Sequence, residues 1–162
     1  MEKKKSNHLS KEEALIRLQK YCVYQDRCHQ EVRAKLLELE IFGDDLENII
    51  VDLISEKFLD EERFARSYVR GKFRMKSWGR IRIRQELKKR NISPYCLRKG
   101  FEEINEDDYE ATLTRLIKKK NKEEREKNEF KRKGKLAQYA MRKGYESHLV
   151  WKMIHQIFNK KK

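Results

Sequence analysis

Residues 32–46 read VRAKLLELEIFGDDL, residues 83–97 read IRQELKKRNISPYCL, and residues 136–150 read LAQYAMRKGYESHLV. Few identities join the three stretches, but their apolar positions coincide. A shift of 51 carries Val32, Leu36, Ile41 and Leu46 onto Ile83, Leu87, Ile92 and Leu97, and a further shift of 53 carries these onto Leu136, Ala140, Tyr145 and Val150. Upstream, Ala14, Leu18 and Cys22 fall on Ala65, Val69 and Phe73; downstream, Ile104 falls on Ile157. A period near 50 residues marks one supersecondary unit used three times, each unit too small to bury its apolar face alone. The apolar spacings are three and four, and no strand-like alternation occurs. The expected fold is therefore all-α: three tandem three-helix repeats forming an elongated curved array. The repeats fall at 10–58, 59–105 and 106–158, between a disordered basic tail at 1–9 and a basic tail at 159–162.

Local signals place the helices. Ser10-Lys11-Glu12-Glu13 has the pattern of an N-cap, and Ala14, Leu15, Leu18, Tyr21 and Cys22 follow at helical spacing. Gln25-Asp26-Arg27 breaks the chain before a second helix with Val32, Leu36 and Leu39 inward. Gly43 is expected to end it, and Asp44-Asp45 to open the third. Asp60-Glu61-Glu62 opens the second repeat, Ser77-Trp78-Gly79 makes its turn, and Ser93-Pro94 supplies an N-cap followed by proline at the first helical position. The third repeat begins near Asp107-Asp108-Tyr109. From Lys118 to Lys135 the chain is almost entirely Lys, Arg and Glu, with Phe130 its one large apolar residue, so this insert either extends a helix or forms a mobile basic linker.

Charge is both excessive and segregated. Forty-one Lys and Arg against 27 Asp and Glu give a net charge of +14, which favours polyanionic partners. Residues 38–62 hold ten acids and one base; residues 70–90 hold ten bases and one acid. The candidate binding residues are those ten, Arg70, Lys72, Arg74, Lys76, Arg80, Arg82, Arg84, Lys88, Lys89 and Arg90, joined by Lys131, Arg132 and Lys133 from the insert. Arginine forks grip carboxylate or phosphate bidentately. Arg80, Arg82 and Arg84 are expected to lie beside the Ile83/Leu87 stripe rather than within it. Trp78 could stack on a base, although a core or hinge role is the simpler reading.

Other classes find no support. Phosphate-cradling glycine loops, zinc-protease spacing and nucleophile elbows are all missing, and the four histidines share no motif with a nucleophile. No enzyme activity, metal or cofactor is expected. Cys22, Cys28 and Cys96 lack C-x-x-C spacing and read as reduced thiols in a cytoplasm; Cys28-His29 has no second pair with which to hold zinc. No apolar run is long enough for a membrane span, and Lys3 to Lys5 are followed by no signal-like stretch.

The segment Phe58-Leu59-Asp60-Glu61-Glu62-Arg63-Phe64-Ala65, then Gly79-Arg80-Ile81-Arg82-Ile83-Arg84-Gln85-Glu86-Leu87 and Asn91-Ile92, resembles the RecX family of recombination regulators. That family carries (Y/F)LDD..FA followed by G..RI..EL..KGI. Asn91 stands where the family usually has glycine, Glu61 where a second aspartate is common, and Lys143-Gly144-Tyr145 restores the motif in the third repeat. The likeness spans roughly residues 11–158; the basic insert departs from it. The resemblance implies a monomeric helical-repeat protein acting in DNA repair, homologous recombination and the SOS response. It would bind RecA and its DNA filament and inhibit ATP hydrolysis, strand exchange and coprotease action. Direct contact with single- or double-stranded DNA is possible in such a protein. The alternative is a general nucleic-acid-binding helical repeat protein with no protein partner.

Overall fold

The computed structural model describes residues 8–160, which contain nine helices and no strand. Most of the proposed N-terminal tail and the last two lysines lie outside the described residues. Helices α1 (Lys11–Tyr24), α2 (His29–Glu38) and α3 (Gly43–Ser55) form the first triplet. The second comprises α4 (Glu61–Lys76), α5 (Arg80–Lys89) and α6 (Pro94–Phe101), and the third α7 (Glu106–Glu123), α8 (Glu129–Arg142) and α9 (Ser147–Asn159). Every substantial helix–helix packing lies within a triplet. The accessible surface, 11162 Å², exceeds the roughly 8,600 Å² of a compact monomer of this mass, as an elongated array requires.

The helix starts follow their caps. Ser10, Asp60, Ser93, Asn105 and Asn128 each accept a hydrogen bond from the backbone N–H three residues on, at 2.9–3.2 Å. The middle helix of every triplet ends in one recurring device. Glu40 (φ 62°), Asn91 (φ 58°) and Gly144 (φ 103°) occupy equivalent left-handed positions. The next residue's N–H, from Ile41, Ile92 or Tyr145, reaches back five residues to Leu36, Leu87 or Ala140. This corrects the expectation for Gly43: α2 stops at Glu38 with Glu40 in the left-handed slot, and Gly43 starts α3.

The insert at 118–135 follows the first expected form, the extension of a helix. Helix α7 runs on to Glu123, five residues cross without helix, and α8 starts at Glu129. Arg132 closes this crossing by donating to the carbonyls of Asn121 and Glu124, which satisfies the frayed end of α7.

The apolar positions that define the repeat are the core, but the core is divided unequally. Residues from Ala14 to Leu59 form one cluster. Phe64 through Ile157 form a second, continuous through repeats 2 and 3, with Cys28 of repeat 1 inserted into it. Three aromatic rings bridge the latter pair: Phe73 and Tyr109 lie 5.9 Å apart between centroids, Tyr109 and Tyr145 4.9 Å. Beside them, Gly79 N–H donates to Lys143 O (2.8 Å) and Ile81 N–H to Gly144 O (2.9 Å), so the unpaired amides opening α5 meet the chain leaving α8. A side chain at Gly79 would overlap the Gly144 carbonyl, and one at Gly144 would come within 2.6 Å of the Arg82 nitrogen.

Candidate functional site: a cation–aromatic ladder on the second repeat

On repeat 2, basic and aromatic side chains alternate across α4, its closing turn and α5. Arg90 lies over the Tyr68 ring at 5.0 Å, and Lys72 lies 5.4 Å from Tyr68 and 4.9 Å from Trp78. Arg82 covers Trp78 at 4.1 Å. The helical period explains half of this, since Tyr68 and Lys72 are four apart on α4. The rest comes from Ser77, whose left-handed conformation (φ 55°) turns the chain and returns Trp78 to Lys72. Trp78 is half-buried between two cations and supports Lys72 and Arg82. Burial raises the Tyr68 phenol above its ordinary range despite the opposing pull of Arg90, keeping the ring neutral beneath its cations.

The candidate residues do not share one surface. Lys72 and Arg82 belong to the ladder and make no ion pair among the described residues; Lys76 is exposed one turn beyond Lys72. Arg84 turns the other way, over Phe101 of α6, with Lys88 exposed one turn on. Arg74 faces repeat 3, lining a cavity with Asp108 and Arg115. Several others are engaged internally. Arg70 pairs with Glu103 (3.3 Å), Lys89 with Glu86 (3.0 Å) and Lys133 with Glu129 (3.0 Å). Arg90 bonds Glu86 and also approaches Glu31 of repeat 1. Arg132 closes the crossing after α7, and Lys131 alone of the insert trio is exposed and unpaired among the described residues.

Arg80 departs furthest from expectation. Its guanidinium pairs with Glu146 (2.7 Å) and Glu106 and lies 3.9 Å above the Tyr109 ring, while its backbone N–H donates to the Tyr109 hydroxyl (3.0 Å). That hydroxyl in turn donates to Glu146. Burial opposes the Arg80 charge, but the Glu146 carboxylate outweighs it and holds the group as a cation. The sequence places Arg80, Arg82 and Arg84 at alternate positions, yet their neighbours draw them to different partners: Arg80 to the joint with repeat 3, Arg82 to the ladder and Arg84 to Phe101 on the outer flank. Sequence reasoning missed Glu146 and Tyr109 as the partners of Arg80. No signal in the sequence marked them: the 53-residue shift carries Arg80 onto another cation, Lys133, and Glu146 and Tyr109 lie 66 and 29 residues away.

What remains is a cationic surface, stiffened by aromatic rings, on an array of helical repeats. Among the described residues there is no cluster of potential metal ligands and no helix long and apolar enough to cross a membrane; the three cysteines are free and buried. Comparison with known proteins places this arrangement. The profile of the second three-helix domain of RecX matches residues 60–99, and that of the third matches residues 106–154. The regulatory protein RecX of Oceanobacillus iheyensis is 27% identical over 134 residues, covering 83% of this chain and 49% of its own length. That of Salmonella paratyphi A is 29% identical, covering 75% and 77%. The chain thus spans about half the length of the first of these relatives. Two crystal structures share the fold: RecX from Lactobacillus salivarius, with a TM-score of 0.82 at 22% identity over 90% of this chain and 95% of that one, and a regulatory protein RecX, with 0.81 at 25% identity over 90% and 71%. With more than half of its length matched by RecX domains, the chain belongs to the RecX family of regulatory proteins, which is not a family of enzymes.

Proposed function

We propose that this chain acts in the cytoplasm as a RecX-type regulator of RecA. It binds the recombinase and its DNA filament and inhibits ATP hydrolysis, strand exchange and coprotease activity. The observation that carries the reading is the ladder. Lys72 and Arg82 are held against Trp78 before any partner arrives, so less side-chain entropy is lost when they meet an anionic surface. A string of repeats suits a helical polymer better than a compact site suits a small molecule. Membership of a regulatory family supports reading the ladder as a contact surface rather than a catalytic one.

The test is DNA-dependent ATP hydrolysis by RecA with this protein titrated in. Inhibition is expected for the parent, and Lys72→Glu/Arg82→Glu should weaken it at least tenfold while circular dichroism stays unchanged. Lys88→Glu, on the other flank, should have the smaller effect. No inhibition at saturating protein and low salt would refute the reading. The excess positive charge favours a second reading, general nucleic-acid binding. It would prevail if bare single-stranded DNA bound as tightly as the filament in the same buffer.

A further inference from the structure

The acidic end of the chain has no part in an anion-binding function, and the opposite end carries a surface that fits it. Three cavities run along α7 and share residues: Arg115 lines the first two, and Lys118 and Lys122 line the second and third. Together they form one groove, whose last section (about 370 Å³) opens between α7 and α9 over Met153 and Ile157. Its rim carries Arg74, Arg115, Lys118, Lys119, Lys122 and Lys160, with Asp108 the one acid lining it. None of these six cations makes an ion pair among the described residues. The groove is thus apolar below and cationic above.

At the other end of the array, α3 turns one stripe outward: Asp44, Glu47, Val51 and Ile54 recur at helical spacing, with Val51 58% and Ile54 44% exposed. Two carboxylates lead into this apolar strip: Asp44, which makes no ion pair among the described residues, and Glu47, whose two oxygens accept from Arg33 of α2 (2.6 and 3.3 Å). We propose that α3 of one molecule docks in the α7/α9 groove of a second copy, so that the chains associate head to tail. Val51 and Ile54 lie on Met153 and Ile157, Asp44 meets Lys118, and Glu47 is shared between its own Arg33 and Lys122 of the second copy. A nucleic acid would satisfy the rim but leave the apolar floor unmatched, whereas α3 satisfies both. The contact is intermolecular because no substantial helix packing joins repeat 1 to repeat 3 within one chain.

Such a contact uses two different patches and does not close on itself, so it propagates in a row. One helix in one groove falls below the roughly 1,200 Å² of stable complexes, and the net charge of +14 opposes it beyond a screening length of about 8 Å. It is therefore weak between free molecules and strengthens where copies are held side by side at high effective concentration.

Sedimentation velocity on the whole chain, without nucleic acid and at about 0.1 M salt, tests this independently of any recombinase. The weight-average sedimentation coefficient should rise with protein concentration. Lys118→Glu/Lys122→Glu and Asp44→Lys/Glu47→Lys should each abolish that rise, and an equimolar mixture of the two should restore it, because each reversed patch then meets its complement. Both variants keep a net positive charge, so bulk attraction between unlike proteins does not produce the recovery. Circular dichroism checks folding; Val51→Arg, at an exposed position, tests the same face should the α3 double change unfold. A parent that stays monomeric at all concentrations, a mixture that stays monomeric, or a rise seen only on adding single-stranded DNA or poly-glutamate overturns the proposal, the last in favour of a different occupant.

Discussion

Between repeats 1 and 2 the chain is joined largely by charge; between repeats 2 and 3 it is joined by a shared interior. At the first joint Asp26 accepts from Arg63 (2.8 Å) and from the Ser67 hydroxyl (2.7 Å), and Arg90 approaches Glu31 at 3.8 Å. The remaining fork of Arg63 holds the carbonyls of Lys57 and Phe58, fixing the linker itself. Cys28 crosses as an apolar plug, Leu59 at the start of repeat 2 packs into the core of repeat 1, and a cleft of about 580 Å³ opens beside these groups. At the second joint, Phe73, Tyr109 and Tyr145 pack ring to ring, two glycines bring backbones into contact, and Arg80 knots the edge. Exposed ion pairs contribute roughly 0–1 kcal/mol each and weaken with salt, whereas a buried aromatic contributes several. Repeats 2 and 3 are thus expected to move as one body, with repeat 1 pivoting on it. The ladder lies on the rigid side, with Arg90 at the boundary reaching toward the pivot.

The sharpest way to break this contrast is Gly79→Ala. The added methyl would overlap the Gly144 carbonyl, and relief requires parting the backbones that carry two hydrogen bonds. A loss of about 3 kcal/mol or more is expected, read by urea unfolding of tryptophan fluorescence, with Trp78 and Trp151 both on the rigid side. Equal stability would mean that repeats 2 and 3 are not interlocked there.

Alkali should separate the joints next. Burial raises the Tyr109 and Tyr145 phenols far above the ordinary value of 10.0, and the nearby Glu146 carboxylate pushes in the same direction. For groups whose folded value is raised, stability is intact below the unfolded value and falls as pH climbs beyond it. The expected slope above pH 10 is about 1.4 kcal/mol per pH unit for each tyrosine. Hydrogen exchange should therefore accelerate at the helices of repeats 2 and 3 together, and a Tyr109→Phe variant should show the shallower decline.

The smallest energetic effect belongs to Asp26→Ala, about 1 kcal/mol or less, since its partner Arg63 remains 42% exposed. Its geometric effect should be larger. Small-angle scattering should show a broader distance distribution, as repeat 1 swings without its tether, and about 0.5 M salt should produce part of the same change in the parent. A distribution unchanged in both would show that the Cys28 plug, not the charges, sets the angle.

The helices and core were legible because they rest on spacing. The positions predicted from the two shifts, from Val32 and Leu36 to Val150 and Ile157, are all buried. The joints were not legible in the same way. Asp26 and Arg63 are 37 residues apart and carry no periodic signature, and Arg80 looks in sequence like its neighbours Arg82 and Arg84. Whether an arginine faces solvent or a carboxylate depends on which helix crosses above it, and that is a property of the assembled repeats. Trp78 was readable as a hinge aromatic, but its service as a brace for Lys72 and Arg82 depends on the left-handed turn at Ser77, a residue type with no strong preference for that conformation.

The slot held by Glu40, Asn91 and Gly144 has a practical corollary for anyone concatenating such modules. An ordinary residue tolerates the left-handed bend where nothing leans against it; glycine becomes compulsory once a neighbour's main chain arrives. In a synthetic tandem, the matched pair of glycines would serve as a latch written one residue at a time, deciding which modules fuse into a stiff segment and which stay free to swivel.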